Sequence, residues 1–445
     1  MKLIYQIKDK PKFLQIILFA LQQVLAIMAA TIAVPAIINQ ATGSELTASA
    51  ALFGAGVGSI IYLLCTKSSS PVFLGSSFAF IGSMLSAFGG AASMTVGYIG
   101  LIIGAVMAGL VYVIIAIVVK YAGVKWINKL MPPVIIGPTV AIIGLSLSGN
   151  AVGDLMSSSV QGGSSYVALI CGLVTLFVTM LTSTYGKKTF RMIPFIIGIL
   201  AGYAVASIFA LIGNATGNAA LTVINYKAFE NCGVFAVPGF TFIKGGQEGL
   251  SGINASYLLT LFAAYAPVAF VVFAEHLADH KNLSSIIGTD LLEEPGLTRT
   301  LLGDGVGSMF GAFFGGCPNT TYGESIACVA ITRNASSVSI WGAALMCIIF
   351  SFLSPLMAFL ESIPSCVMGG VCVALYGFIA VSGFKMFQQV DLNKNRNLFV
   401  ASVVFITGVG GMVVSFGKVE IRTVACALIL GIVTNLMLSG EKEEN

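Results

Sequence analysis

Charge is what this sequence has least of. Only 9% of its 445 residues are Asp, Glu, Lys or Arg, against roughly 25% in soluble domains. So few charges cannot cover a water-facing surface. With 57% apolar residues, the chain reads as an integral membrane protein with many spans of about 20 residues each. Histidine is nearly missing, at two residues, so a site built on several imidazoles is excluded. The nine cysteines form no CxxC and no paired framework; nearly all sit in apolar runs, as free thiols packing like small hydrophobes. No phosphate-binding loop is present. Gly186-Lys187-Lys188-Thr189 lacks the upstream glycine, and Gly303-Asp-Gly305-Val-Gly307 is not GxGxxG within a βαβ unit. ATP coupling within the chain is thereby set aside, which leaves an ion gradient as the driving force. The net charge of +4 is spread over short loops and offers nucleic acid no basic patch.

What is present is a series of apolar segments, near 13–38, 47–66, 72–92, 95–120, 131–150, 166–185, 192–213, 254–280, 300–317, 319–332, 338–360, 364–384, 398–414 and 421–440. That is fourteen. The first follows a lysine-bearing start and runs too far for a signal peptide, so it is read as a retained membrane helix. Basic residues test the count, because they collect on the cytoplasmic side. With the N-terminus inside, only Lys227, Lys244, Lys418 and Arg422 fall outside, of 22 basic residues. Both termini are therefore expected in the cytoplasm.

The longest polar interruption, roughly 213–252, divides seven segments from seven. An odd number per half gives the halves opposite orientation, the arithmetic of an inverted repeat. Two echoes agree. Pro132-Pro-Val-Ile-Ile-Gly137 matches Pro364-Ser-Cys-Val-Met-Gly369, and Pro71-Val-Phe-Leu-Gly75-Ser-Ser-Phe78 opens the third segment as Pro318-Asn-Thr-Thr-Tyr-Gly323-Glu324 opens the tenth. Frequent Pro and Gly in membrane helices would produce such echoes too.

The stretch Pro318 to Arg333, PNTTYGESIACVAITR, places Glu324 where its neighbours demand hydrocarbon. A carboxylate at that depth is tolerated where it faces a cavity inside a bundle. Pro318, Asn319, Thr320, Thr321 and Gly323 suit an extended segment leading into a helix start. A broken membrane helix is the expectation, with its free amides beside Glu324, and such interruptions point to a transporter's binding site. In the eighth segment, Phe273-Ala-Glu275-His276-Leu-Ala-Asp279-His280 carries two acids four apart, on one face of a helix. Like charges so close in a low-dielectric setting favour the uptake of a proton by one of them. Counted from Asn254, Glu275 lies more than 20 residues in, so the cluster also fits a solvated helix end. His276 and His280 share the i, i+4 spacing of helix-borne metal ligands, but the glutamate precedes the pair and no third ligand is evident. A metal site is not expected.

With these residues assembled, the chain resembles the nucleobase/ascorbate transporter family, and within it the bacterial uracil permeases. The resemblance rests on Pro71 to Ile81, Ala274-Glu275-His276, Asp290 to Arg299, Pro318 to Glu324 and Ala330-Ile-Thr-Arg333. The family signature appears here from Glu324 to Arg333, with Ser325 for Asn and Ala327 for Gly. An acid at its first position is similar to the uracil members, whereas Gln is usual in those for xanthine and urate.

The resemblance implies an all-α fold of 14 transmembrane segments in a 7+7 inverted repeat, with short extended stretches in segments 3 and 10. It implies a core domain (13–120 and 254–360) and a gate domain (131–213 and 364–440), a homodimer in the bacterial cytoplasmic membrane, and alternating access by an elevator-like or rocking motion. Substrate contacts would fall to Glu275, Glu324 and the backbone at Phe78 and Gly323, with Ala30 and Tyr322 lining the pocket. Two family histidines are replaced here, by Asp279 and Gln23. Proton coupling is accordingly assigned to Glu275, Asp279 and Glu324. Uracil is planar and neutral; carboxylates would accept from its N–H groups and free helix-end amides would donate to its carbonyls. The expected activity is proton-coupled uracil import, without enzymatic chemistry or a cofactor beyond the gradient. The alternatives are a xanthine or other purine permease, an anion exchanger of the same general architecture and, more remotely, an intramembrane metal-dependent enzyme on His276 and His280.

Overall fold

The computed structural model describes the whole chain except residues 1–2, 124–129, 188–189, 191–193, 231–232, 389, 417–418, 422 and 441–445. The basic residues Lys2, Lys125, Lys129, Lys188, Arg191 and Lys442, counted above as cytoplasmic, and Lys418 and Arg422, counted as external, lie outside the described residues.

The chain is predominantly helical. Its first half runs α1 (Phe13–Thr42), α2 (Ala48–Cys65), a short strand β1 (Leu74–Ser76), a single 3₁₀ turn (Phe78–Phe80) continuing into α3 (Ile81–Gly89), α4 (Met94–Ala122), α5 (Pro133–Ser146), α6 (Ser148–Leu155), α7 (Ser165–Tyr185) and α8 (Pro194–Thr216). After α9 (Thr241–Ser251) come α10 (Ala255–Ile287), α11 (Leu297–Gly315), strand β2 (Asn319–Thr321), α12 (Gly323–Thr332), α13 (Ser337–Ser351), α14 (Ser354–Glu361), α15 (Ser365–Phe387), α16 (Asn395–Val409), a hairpin of β3 (Val414–Phe416) and β4 (Val419–Ile421), and α17 (Thr423–Met437). Polar caps punctuate the series. Thr47 accepts from the Ala50 amide, Ser93 from Val96 and Asn254 from Tyr257, each satisfying a donor that the helix start leaves free. Gly43 and Gly288 close α1 and α10 in the left-handed conformation.

Every one of the fourteen apolar segments contains a helix, but among the described residues eight helices are long and apolar enough to cross a membrane. The shortfall has local causes. Segments 3 and 10 are broken, each spending its first residues on a strand. Segment 11 divides into α13 and α14, with Pro355 in the first turn of the second, where the ring is tolerated. The hairpin β3–β4 between α16 and α17 was not foreseen, since the segments near 398–414 and 421–440 leave all but Val414 and Ile421 of it as a plain connection.

Packing falls into two groups. α2 lies against α11 and α13, and α4 against α9, α10 and α11, while α1 covers α13. Separately, α15 lies along α5, α6 and α7, α7 packs on α8, and α16 on α5 and α17. Glycine permits these approaches. A Cβ on Gly54 would stand 2.5 Å from the Gly311 carbonyl, and one on Gly144 2.2 Å from the Tyr376 carbonyl, so α2–α11 and α5–α15 meet backbone to backbone. The two Pro-to-Gly echoes mark opposite ends of one antiparallel contact. Gly137 abuts Phe387 and Gly383 at the end of α15, and Gly369, near its start, abuts Asp154 and Leu155.

Candidate functional site

The two broken segments meet. β1 and β2 pair antiparallel, Leu74 opposite Thr321, Gly75 opposite Thr320 and Ser76 opposite Asn319. Two-stranded pairing inside a helix bundle leaves outer edges that need partners. Ser59 on α2 accepts from the Leu74 amide at 2.8 Å and donates to its carbonyl at 3.2 Å. The Ser325 hydroxyl accepts from Phe73 at 3.1 Å, and the Ser77 amide donates to the Pro318 carbonyl at 2.8 Å. Asn319 donates to the Gly54 carbonyl at 3.0 Å. Gly75 is required by close approach: a Cβ there would stand 2.5 Å from the Tyr322 ring and 3.0 Å from the Thr31 hydroxyl. Tyr322 in turn donates to the Ser76 carbonyl at 2.7 Å.

Each strand delivers its chain to a helix start, Phe78 after β1 and Gly323 after β2, and both starts open on one cavity of about 580 Å³. Ala30, Phe78, Glu275, Asp279, Tyr322, Gly323 and Glu324, all of the expected site residues, line it. Glu275 and Asp279 come from the second half of α10, which continues to Ile287, roughly three turns beyond Glu275, and both line the cavity. Glu324 stands in the first turn of α12, where the helix dipole favours a negative charge. Glu275, Asp279 and Glu324 are all half-buried. The Thr321 hydroxyl donates to Asp279 Oδ2 at 2.7 Å, tying the α10 acid to the strand. Gly323 is exposed to the cavity, with open space where a Cβ would stand. The opposite wall is apolar, from Val140, Ile143, Phe195, Leu375 and Phe378, and the cavity extends to Ser183, Pro194 and Lys385 at the ends of α7, α8 and α15. Phe78 meets Tyr376 of α15 edge to face, centroids 5.7 Å apart.

Sequence reasoning missed Thr320 and Thr321 at the cavity and Asp304 behind it. Thr320 lines the cavity, is buried, and its hydroxyl has no protein partner among the described residues. Thr321 supplies the bond to Asp279. Asp304, passed over within a glycine-rich run, is fully buried on α11 and pairs with His276 Nδ1 at 2.7 Å; its partner lies 28 residues away on another helix, which no local pattern reveals. The two histidines do not turn toward the cavity. His276 Nε2 lies 3.0 Å from the Thr300 hydroxyl, while His280 Nε2 lies 2.6 Å from the Tyr62 hydroxyl and its Nδ1 2.8 Å from the His276 carbonyl. Their nitrogens are thus committed to neighbours. Among the described residues no group of three or more His, Cys, Asp or Glu is placed to hold a metal. Gln23, standing where a family histidine would be, donates to the Ser325 carbonyl at 3.3 Å, which places it against α12.

Comparison with known proteins follows this geometry. A family model described as "Permease family" matches residues 14–416. The uracil permease of Bacillus subtilis (strain 168) is 36% identical over 98% of this chain and 96% of its own length; that of Bacillus caldolyticus is 37% identical over 99% and 96%. The uracil permease of Escherichia coli (strain K12) is 36% identical over 97% and 93%. Among solved structures, the transmembrane domain of a cyanobacterium bicarbonate transporter, BicA, superposes with a TM-score of 0.62 at 14% identity, covering 97% of this chain and all of that one. The murine anion transporter Slc26a9, in its inward-facing state, gives 0.59 at 12% identity, over 97% of this chain and 69% of that one. At such identities the likeness is one of fold alone. The apolar helices and these relatives make the chain a multi-pass membrane transporter and not an enzyme, which removes the metal-dependent alternative. It belongs to the permease family in which the bacterial uracil permeases stand, the family that its motifs resemble.

Proposed function

We propose that this chain imports uracil across the bacterial cytoplasmic membrane together with protons, by alternating access. The observation that carries the reading is one cavity that both Glu275 and Glu324 line, beside two helix starts. Uracil offers two N–H donors and two carbonyl acceptors. Glu275 and Glu324 accept from the N–H groups, the amides at Phe78 and Gly323 donate to the carbonyls, and Ala30, Tyr322 and Phe78 confine the ring. The volume, about 580 Å³, suits a small-molecule site with its access path, within the roughly 300–1,000 Å³ usual for such pockets.

Proton coupling follows from crowding. Three carboxylates, Glu275, Asp279 and Glu324, line one cavity, and a proton taken up by one of them lowers the cost of seating the others beside the substrate. Binding and protonation are then linked, and linkage of two ligands is symport. The same acids argue against an anion exchanger, because they would repel its substrate. Purines remain the alternative cargo, and competition of labelled uracil uptake by a nucleobase panel separates them.

The packing into two groups supports a division into a core domain (13–120 and 254–360) and a gate domain (131–213 and 364–440), each combining elements of both halves of an inverted repeat of fourteen segments. With both termini taken as cytoplasmic, Lys385 stands on the cytoplasmic side, and its place in the cavity lining supports reading this conformation as inward-facing. The gate domain of one copy pairs with another in a homodimer, within membrane lipid. Uptake of labelled uracil by proteoliposomes, with and without an inward proton gradient, tests the reading. Gradient-driven accumulation that a protonophore collapses is expected; uptake indifferent to the gradient would end the coupling claim, and no uptake would end the substrate claim.

A further inference from the structure

Glu275 lines the substrate cavity, and the residue after it, His276, turns its ring away toward α11. Successive residues on a helix stand about 100° apart, so whatever holds the His276 ring fixes the rotation of α10 about its axis and with it the aim of Glu275. Asp304 Oδ2 holds that ring at 2.7 Å, yet Asp304 itself is only half satisfied. Its Oδ1 is buried without a partner among the described residues, and so is the hydroxyl of Tyr112 on α4. A buried oxygen left in this way costs more than a typical hydrogen bond contributes. The Tyr112 ring packs edge to face on His276, centroids 6.4 Å apart, which keeps its hydroxyl in this neighbourhood.

Tyr112 and Asp304 line one small cavity of about 10 Å³. Every residue around it is buried, among them Phe80, Val272, Ser308 and, from β2, Asn319. The gap cannot be closed by drawing the helices together, because α4 and α11 already meet backbone to backbone. A Cβ on Gly109 would stand 2.8 Å from the Gly305 carbonyl oxygen, and one on Gly305 2.7 Å from the Tyr112 Cβ. A space of roughly 10–15 Å³ admits a single water molecule, provided that two or more polar groups receive it. A hard divalent cation would need about six oxygens, which walls made largely of Phe80, Ala108, Val272 and glycine do not supply.

We propose that this cavity binds one structural water molecule, which donates to Asp304 Oδ1 and accepts from the Tyr112 hydroxyl, tying α4 to the His276–Asp304 pair behind Glu275. Ser308 offers it a third partner. The water site stands on geometry alone, and its effect on uracil binding rests on the function proposed above. Tyr112 is a positioning residue, since it does not line the cavity that holds Glu275 and Glu324.

An experimental structure of the full chain, resolved finely enough to show ordered water, tests the site directly. One solvent peak should stand about 2.5–3.0 Å from both Asp304 Oδ1 and the Tyr112 hydroxyl. An empty cavity, a peak touching only one of the two oxygens, or a direct bond between Tyr112 and Asp304 would overturn it, whatever any variant does. Tyr112→Phe keeps the ring and removes the hydroxyl. It should lose the peak and raise the KM for uracil about threefold to tenfold, the scale of one lost hydrogen bond, with the maximal uptake rate unchanged. A peak that persists in this variant would overturn the bridge, and a parent-like KM beside a vanished peak would overturn the positioning role. Failure of the function proposed above looks different: the parent shows the peak but takes up no uracil, and the lost bridge is then read as a lower unfolding temperature of Tyr112→Phe.

Discussion

Glu275 and Glu324 sit on different helices, 49 positions apart in sequence, yet line one cavity. Replacing either with Gln exchanges an acceptor-only carboxylate for an amide that presents a donor to a donor. Glu275→Gln and Glu324→Gln should each abolish uptake and weaken uracil binding about 10- to 100-fold, in line with loss of a hydrogen bond to a charged group. Equilibrium binding to purified protein beside uptake in vesicles checks both halves of that statement. Asp279 has another expected signature. Its carboxylate already holds the Thr321 hydroxyl, and Asp279→Asn keeps an acceptor there. Binding should stay within about threefold of the parent, the scale of a retained neutral hydrogen bond, while accumulation against a gradient is lost. Thr320→Val preserves shape and removes a hydroxyl with no protein partner among the described residues; a rise in KM of about threefold to tenfold without loss of thermal stability is expected.

Residue by residue, the site was open to sequence reasoning because burial of charge is expensive enough to leave few explanations. An acid flanked by Tyr322-Gly323 and by Ile326 to Ile331 had to face a cavity. The i, i+4 spacing of Glu275 and Asp279 fixed them to one face of a helix, and the cavity lining contains both. What stayed hidden was the opposite side of the same helix. His276 invited thoughts of metal because its partner Asp304 is brought to it by tertiary packing between α10 and α11, and pairing across helices leaves no local trace.

At the scale of elements, the paired strands are where local sequence and bundle packing depend on each other. Pro71 and Pro318 stop helices from forming, and the freed backbone is satisfied by the opposite strand and by Ser59, Ser325 and Asn319. Gly75→Ala tests this. The added methyl would stand 2.5 Å from the Tyr322 ring, so the ring must move and its bond to the Ser76 carbonyl must stretch. A loss of about 1–3 kcal/mol of stability is expected from overpacking of this kind, seen as a lower unfolding temperature in detergent, with weaker uracil binding alongside. That each strand lies between a proline and a glycine or serine turn, Pro71 to Phe78 and Pro318 to Gly323, was visible in the sequence. Their register was not, since three residues on each side carry too little alternation to set it. The unforeseen hairpin β3–β4 has the same cause: Val414–Phe416 and Val419–Ile421 suit a helix end and a strand equally well by composition.

For the whole molecule, the fourteen apolar runs were legible but not the lengths of their helices, because a run whose first residues form a strand has the composition of an unbroken one. The two packing groups mix elements from both halves of the chain, and no pattern local to either half announces that. If they move as rigid bodies, joining them must stop transport without harming the site. Gln40 Nε2 on α1 donates to Asp154 Oδ1 on α6 at 2.7 Å. Gln40→Cys with Asp154→Cys, bridged by a short bismaleimide, should block uptake while leaving uracil binding intact, and unbridged protein should regain transport. Continued uptake by the bridged protein would contradict rigid-body motion.

The pairing of β1 with β2 ties the beginnings of two helices, one from each half of the chain, into a single splint. Neither half-site can loosen alone. Lesions on one strand and on the other should therefore mask each other when combined, and a suppressor of a Gly75 defect is best sought near residue 320, almost 250 positions downstream.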